Sequence, residues 1–143
     1  MVIKQSVNLT IRPYQPKDEE AIIQLWQACN LVVPQNDPRR DIRCKLAVQP
    51  ELFLVGLSGL DVVASVMAGY EGRRGWLNYL AVAPQHQRQG MGRRMVEAAT
   101  DALEAMGCPK VNLQIRTSNR DVIEFYQRLG FTIDDVVSMG KRL

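Results

Sequence analysis

Val7, Leu9 and Ile11 alternate with Asn8, Thr10 and Arg12 as far as Pro13, the period-two pattern of a strand with one buried face. A helix is expected next. Pro16 suits a first helical turn, Asp18, Glu19 and Glu20 suit its positive end, and Ile22, Ile23, Leu25, Trp26 and Cys29 form an apolar stripe. After the loop Leu31–Gln35, Asn36-Asp37-Pro38 offers a cap and an N1 proline for a more polar helix over Arg39–Val48. Glu51–Leu57 and Val62–Tyr70 are β-rich runs on either side of Ser58-Gly59-Leu60-Asp61, a hairpin signature. The turn Glu71-Gly72-Arg73-Arg74-Gly75 leads into a third run, Trp76–Val82, so an antiparallel meander closed by Pro84 is predicted.

Helical spacing resumes with Met91, Met95, Ala98, Ala99, Ala102 and Met106 on one side and Gly107 as the stop. Val111, Leu113 and Ile115 then alternate with Asn112, Gln114 and Arg116 as a strand, and Thr117-Ser118-Asn119 introduces a helix over Arg120–Leu129 that Gly130 ends. Phe131–Ile133 and Val136–Met139 flank Asp134-Asp135 as a last strand pair. Strands cluster in the middle and alternate with helices at the end, so the class is α+β with a mixed sheet. No repeat, linker or low-complexity tract interrupts residues 1–143, which are read as one domain.

Bulk properties narrow the function classes. A chain of 143 residues, 46% apolar, can bury a core without metals or disulfides. Its 18 basic and 15 acidic residues leave a net charge of only +3, too little to single out a polyanion as partner. Cys29, Cys44 and Cys108 are odd in number and lack metal-ligand spacing, which fits a reducing cytoplasm, so no metal is expected. Polar Gln5, Ser6 and Asn8 interrupt any signal-peptide core after Lys4, and Asp61 divides the longest apolar stretches, so neither export nor a membrane span is expected.

The chemistry is concentrated where a strand, Leu80-Ala81-Val82, runs through Ala83-Pro84-Gln85-His86 into Gln87-Arg88-Gln89-Gly90-Met91-Gly92-Arg93 and a helix. Glycines let backbone N–H groups converge on an anion, and a helix N-terminus adds partial positive charge. No Gly-x-x-x-x-Gly-Lys-Ser/Thr occurs, and Gly90-x-Gly92 lacks the third glycine of a dinucleotide fingerprint, so neither ATP nor NAD is favoured. Gln87-x-x-Gly90-x-Gly92 after Leu80-Ala81-Val82 resembles motif A of the GNAT superfamily of N-acetyltransferases. Asn119-x-x-Val122-x-x-Phe125-Tyr126-x-x-x-Gly130-Phe131 resembles its second signature, and the order of elements follows the family over the whole chain. Asn36-Asp37-Pro38, Gly69-Tyr70-x-Gly72-x-Arg74-Gly75 and Gly107-Cys108-Pro109-Lys110 resemble the small bacterial YpeA-like members.

The resemblance implies a single GNAT domain: a mixed sheet with an antiparallel N-terminal meander and splayed fourth and fifth strands, flanked by about four helices. It implies acetyl-CoA as acyl donor, with the pyrophosphate on the backbone of Gln87, Arg88, Gln89, Gly90, Met91, Gly92 and Arg93 and the pantetheine arm along Leu80, Ala81 and Val82. Asn119 is implied as a further cofactor contact, although a helix cap explains it equally. Tyr126 is implied as cofactor contact and as the general acid that protonates the departing thiolate; a core tyrosine is the alternative. The reaction implied is direct attack of an unprotonated amine on the thioester, with a backbone N–H near Val82 on the developing oxyanion.

An amine of pKa about 10 must first lose a proton. Relatives that acetylate ribosomal-protein N-termini carry a glutamate where this chain has Gln114, and an amide cannot take that proton. Glu71 is the nearest acidic candidate for a general base, Asp37 is another, and His86 reads as a surface residue of the turn. A CoA-binding sensor or interaction module on the same fold is the second reading, motivated by the missing base. A nucleic-acid-binding helix face with Arg39, Arg40, Arg43 and Lys45 is a third, and Asp41 dilutes it. The acceptor's identity and the oligomeric state, a homodimer included, stay open.

Overall fold

The computed structural model describes residues 8–143, so Val7 of the first predicted strand lies outside the described residues. The chain divides into two compact units, the first ending at Asn112 and the second running Leu113–Leu143. The first holds a five-stranded sheet in the order β1(Thr10–Pro13), β2(Phe53–Ser58), β3(Asp61–Tyr70), β4(Gly75–Val82) and β5(Val111–Asn112). Neighbours β1 to β4 are antiparallel, whereas β4 and β5 are parallel, so the sheet is mixed. Among the described residues three α-helices accompany it: α1(Glu19–Ala28), α2(Pro38–Leu46) and α3(Met91–Ala105).

Alternation assigns the two faces. Ala64 and Gly56 oppose each other in the ladder, and a Cβ on Gly56 would come within 3.0 Å of the Met95 sulfur, so this face carries α3. Ser65, one residue on, receives the Trp26 indole N–H at 2.9 Å, so the opposite face carries α1. Phe53 belongs to that second face. Its ring stacks on Tyr14 with centroids 4.7 Å apart and lies beside Trp26. The β2–β3 hairpin closes through Gly59-Leu60, with Gly59 at φ +62, a left-handed turn conformation.

Several boundaries differ from the sequence expectation for identifiable reasons. Pro16–Asp18 is a separate 3₁₀ turn before α1, because Asp18 is fixed by Arg12 and by the Gln15 amide. Glu51 and Leu52 belong to another such turn, Pro50–Leu52, and β2 starts at Phe53. The buried stripe of α3 is Met91, Met95, Val96, Ala99 and Leu103, whereas Met106, on the same side but at the C-cap just past the last helical residue, is exposed.

Only Val111 and Asn112 of the predicted fifth strand make a ladder, opposite Gly75 and Trp76. The second unit contains α4(Arg120–Arg128) and extended segments. Phe131–Ile133 and Val136–Met139 form no ladder among the described residues, and Ile133, Val136, Val137 and Met139 are exposed. Alternation measures how a segment suits a sheet face; it does not supply a partner for its backbone.

Candidate functional site

Halfway along β4 the register with β3 slips. Asn78 stands opposite Met67 and Ala81 opposite Ser65, so Tyr79 and Leu80 together face the single residue Val66, a β-bulge. Tyr79 has φ +51, a conformation that a bulky non-glycine residue rarely holds. Counting alternately from Leu77 would send its side chain toward α3. Instead its ring stacks on Trp26 of α1, centroids 3.9 Å apart, and its hydroxyl donates to Oδ2 of Asp41 on α2. Its carbonyl accepts from the Ser65 hydroxyl at 2.8 Å, and that hydroxyl in turn accepts from the Trp26 indole. Burial and the neighbouring Asp41 carboxylate raise the Tyr79 pKa well above that of a free tyrosine.

Sequence reasoning missed this network. The signal present was Ser65, a lone polar residue in the middle of the apolar run Val62–Ala68 and fully buried in the structure.

Beyond the bulge the outer edge of β4 is open. β5 pairs only with Gly75 and Trp76, and among the described residues no strand pairs with Leu77–Val82 on that side. Ala83 N–H donates to Val63 O at 2.8 Å, which makes Val82 and Ala64 a non-hydrogen-bonded pair and turns the Val82 N–H and C=O out over this edge. The Val82 carbonyl is already engaged, by the Gln87 side-chain amide at 3.0 Å and the Cys29 thiol at 3.2 Å. Burial beside it raises the Cys29 pKa. Of the three strand residues expected along the cofactor arm, Val82 therefore has its N–H facing out and its carbonyl tied back to the turn.

The turn itself is a 3₁₀ segment, Pro84–His86, then Gln87 in extended backbone, then two left-handed residues, Arg88 at φ +63 and Gly90 at φ +82. α3 begins at Met91, and its first internal bond is Arg94 N–H to Gly90 O, so the N–H groups of Met91, Gly92 and Arg93 have no intrahelical acceptor. Gln87, Arg88, Gln89 and Gly90 are exposed, whereas the Met91 side chain is buried and anchors the helix start. Arg93 reaches Glu97 only at 4.0 Å, on an exposed face. Strand edge, turn and helix N-terminus follow one another in the chain, and along them the Val82 N–H and the first-turn amides of α3 are the donors turned away from the ladder and the helix, while Ala83, His86 and Gln87 spend their N–H groups on Val63, Ala83 and Pro84.

In the second unit, Asn119 is the N-cap of α4, its side chain accepting from Val122 N–H at 3.4 Å. Tyr126 lies seven residues on, hence on the same side of the helix, and is buried. Phe131 N–H reaches back to Tyr126 O and Gly130 N–H to Gln127 O, both at 3.0 Å, with Gly130 at φ +95. This is a Schellman ending, and it brings the Phe131 ring edge-on to Tyr126 at 5.3 Å, with Phe125 at 5.0 Å. Gly130-Phe131 thus fixes the tyrosine. Burial raises the Tyr126 pKa, so its hydroxyl keeps its proton.

Glu71 occupies the β3–β4 turn, exposed, and accepts the amides of Arg73 and Arg74. It stands at the far end of β4, about 15 Å from Leu80 at strand rise. Asp37 caps α2 by accepting from Arg40 N–H at 3.2 Å. Gln114 donates to the Ser138 hydroxyl. The basic face of α2 is divided: Arg39 pairs with Glu19 and Glu20, and Lys45 is buried, which lowers its pKa. Among the described residues no cluster of three or more His, Cys, Asp or Glu could hold a metal, and no helix is long and apolar enough to cross a membrane.

A family model described as the acetyltransferase (GNAT) family matches residues 19–131. An acetyltransferase of Yersinia pestis (strain Pestoides F) is 42% identical over 135 residues, covering 94% of this chain and 96% of its own. Among solved structures, the ribosomal-protein-S18-alanine N-acetyltransferase of Escherichia coli is similar at TM-score 0.74 and 25% identity, over 87% of this chain and 77% of that one. The PaiA N-acetyltransferase of Thermoplasma acidophilum in complex with coenzyme A shares the fold at TM-score 0.71 and 17% identity, over 92% and 94%. The family match runs from the first residue of α1 to the phenylalanine that closes α4, so bulged strand, turn and tyrosine all lie within it, and the chain belongs to the GNAT acetyltransferase family.

Proposed function

We propose that this acetyltransferase moves an acetyl group from acetyl-CoA to a primary amine by direct attack in a ternary complex. The observation that carries the reading is the open edge of the bulged half of β4, with the Val82 N–H turned out, followed directly by the left-handed turn and by the N-terminus of α3, which suits a pantetheine arm followed by a pyrophosphate. Leu80 and Ala81 would take the arm and the Val82 N–H the developing oxyanion. Gln87, Arg88, Gln89, Gly90, Met91, Gly92 and Arg93 would take the pyrophosphate through their main chain. The left-handed Arg88 and Gly90 and the first-turn amides, which have no intrahelical acceptor, fit that group.

Tyr126 is proposed as the acid that returns a proton to the departing thiolate, a role that its buried, proton-retaining hydroxyl supports. The Asn119 amide nitrogen, free of the cap bond made by its oxygen, is proposed as a further donor to the cofactor. For Glu71 we propose a turn-forming role in place of the proton-accepting one, given its two amide bonds and its distance along β4. The amine would then release its proton through water. An amine acceptor is supported by the Escherichia coli neighbour, whose name gives an alanine of a ribosomal protein as its target.

Incubation with acetyl-CoA and an amine library, read by mass spectrometry, tests the proposal. Amine products 42 mass units heavier, about the mass of an added acetyl group, are expected in proportion to CoA release. CoA binding without any acetylated product would favour the sensor reading.

A further inference from the structure

We propose that Asp41 and Tyr79 form a latch between α2 and β4 that holds the strand in its splayed, cofactor-competent form. The inference rests on the reading of β4 as the strand that receives acetyl-CoA. Tyr79 is held in a left-handed conformation at φ +51, and a residue held there reverts to extended backbone unless its surroundings oppose it. Three contacts oppose it. The Ser65 hydroxyl holds the carbonyl, the Trp26 ring holds one face of the phenol at 3.9 Å, and Asp41 accepts the hydroxyl from across the gap to α2.

Ser65 and Trp26 are themselves bonded to each other at 2.9 Å and are fully buried, so they form a rigid floor. Asp41 differs. It is half-exposed, it lies on a helix capped by Asp37 and begun by Pro38, and its bond ties that helix to the bulge.

The consequence for function is one of register. If Tyr79 returns to extended backbone, the extra residue leaves the bulge, and Leu80, Ala81 and Val82 each move one place against β3. A one-place slip reverses which backbone groups face the ladder and which face the open edge. The Val82 N–H would turn inward, and the carbonyl that Gln87 and Cys29 grip would lose both donors, loosening the turn that follows. Asp41 is therefore a positioning residue: it need not touch acetyl-CoA, and it acts through Tyr79.

Calorimetric titration of the full chain with CoA, paired with thermal midpoints, tests the latch in Tyr79→Phe, Asp41→Ala and Asp41→Asn. The first two remove the hydrogen bond, and the third keeps an acceptor oxygen while removing the charge. Tyr79→Phe and Asp41→Ala are expected to weaken CoA binding by about 5- to 50-fold, the range set by the strain of one left-handed residue, while Asp41→Asn stays close to wild type. Lower midpoints with unchanged CoA affinity in the first two would reduce the bond to a structural role and overturn the proposal. So would an Asp41→Asn variant as weak as Asp41→Ala, since charge and not position would then be at work. Should Tyr79→Phe not fold, the two Asp41 variants decide the matter alone. If wild-type protein fails to bind CoA, the donor reading of β4 falls first and the latch falls with it.

Discussion

Asp18 is a carboxylate at 4% exposure whose two oxygens are both occupied, by the Arg12 guanidinium at 2.7 and 2.9 Å and by the Gln15 amide at 2.8 Å. The Arg12 hydrogen bonds hold its pKa below the ordinary carboxylate value, against the opposing effect of burial. A depressed folded-state pKa stabilises the fold fully above the unfolded-state value near pH 4, and that contribution disappears as pH falls through the folded-state value. Asp18→Asn should therefore lose about 2–4 kcal/mol at pH 7, because the charge opposite Arg12 and one of the two acceptor oxygens are lost, and should show a flatter acid limb. Urea midpoints from pH 7 down to pH 3 test this. Parallel curves for variant and wild type would assign acid sensitivity to other groups. Tyr126→Phe asks a different question of a buried side chain, since it removes only the hydroxyl and leaves the ring between Phe125 and Phe131. A 10- to 1000-fold fall in kcat with little change in CoA affinity is expected on the order of general acid catalysis. Wild-type kcat, measured with whichever amine the library identifies, would remove the residue from the reaction.

Elements were legible in the sequence where one residue type fixes a backbone state. Asp37 and Asn119 cap α2 and α4 as the pattern predicts, and Gly107 and Gly130 end their helices in left-handed backbone. The same Schellman bonding closes α1, with Leu31 N–H to Trp26 O at 2.9 Å, but there the left-handed residue is Asn30 and was not anticipated, since asparagine signals a stop less strongly than glycine. The bulge at Tyr79 was illegible in its details. Trp76–Val82 reads as one uninterrupted run, and what inverts a residue within it comes from Trp26, Asp41 and Ser65, which are distant in sequence. The packing of α3 on the sheet depends on a similar long-range fact: Gly56 leaves no room for a side chain, since a Cβ there would stand 3.0 Å from Ala64 Cβ, Leu9 Cδ1 and the Met95 sulfur. Gly56→Val should accordingly cost about 1–3 kcal/mol through overpacking. A denaturation midpoint equal to wild type would mean that α3 has slack against the sheet.

For the molecule as a whole, the turn between β4 and α3 predicts a linkage between ligand and stability. A ligand bound only by the folded chain stabilises it by about 2.7 kcal/mol at a hundred times its Kd. For a chain of 143 residues this corresponds to a rise of roughly 5–10 °C in Tm. CoA should produce that rise, whereas ATP and NAD should not, because neither the P-loop lysine nor the third glycine of a dinucleotide turn is present. Gly90→Val separates the turn's contribution from the rest of the fold. Gly90 sits at φ +82 in front of the first-turn amides, so valine both strains that conformation and sets two methyl groups where the pyrophosphate would approach. The variant's Tm without ligand should fall only modestly, by the equivalent of about 1–2 kcal/mol, since Gly90 is exposed and the cost is that of one strained residue. Its response to CoA should vanish. An undiminished CoA shift in Gly90→Val would mean that the phosphates bind elsewhere, and a shift with ATP but none with CoA would remove coenzyme A from the account of this site altogether.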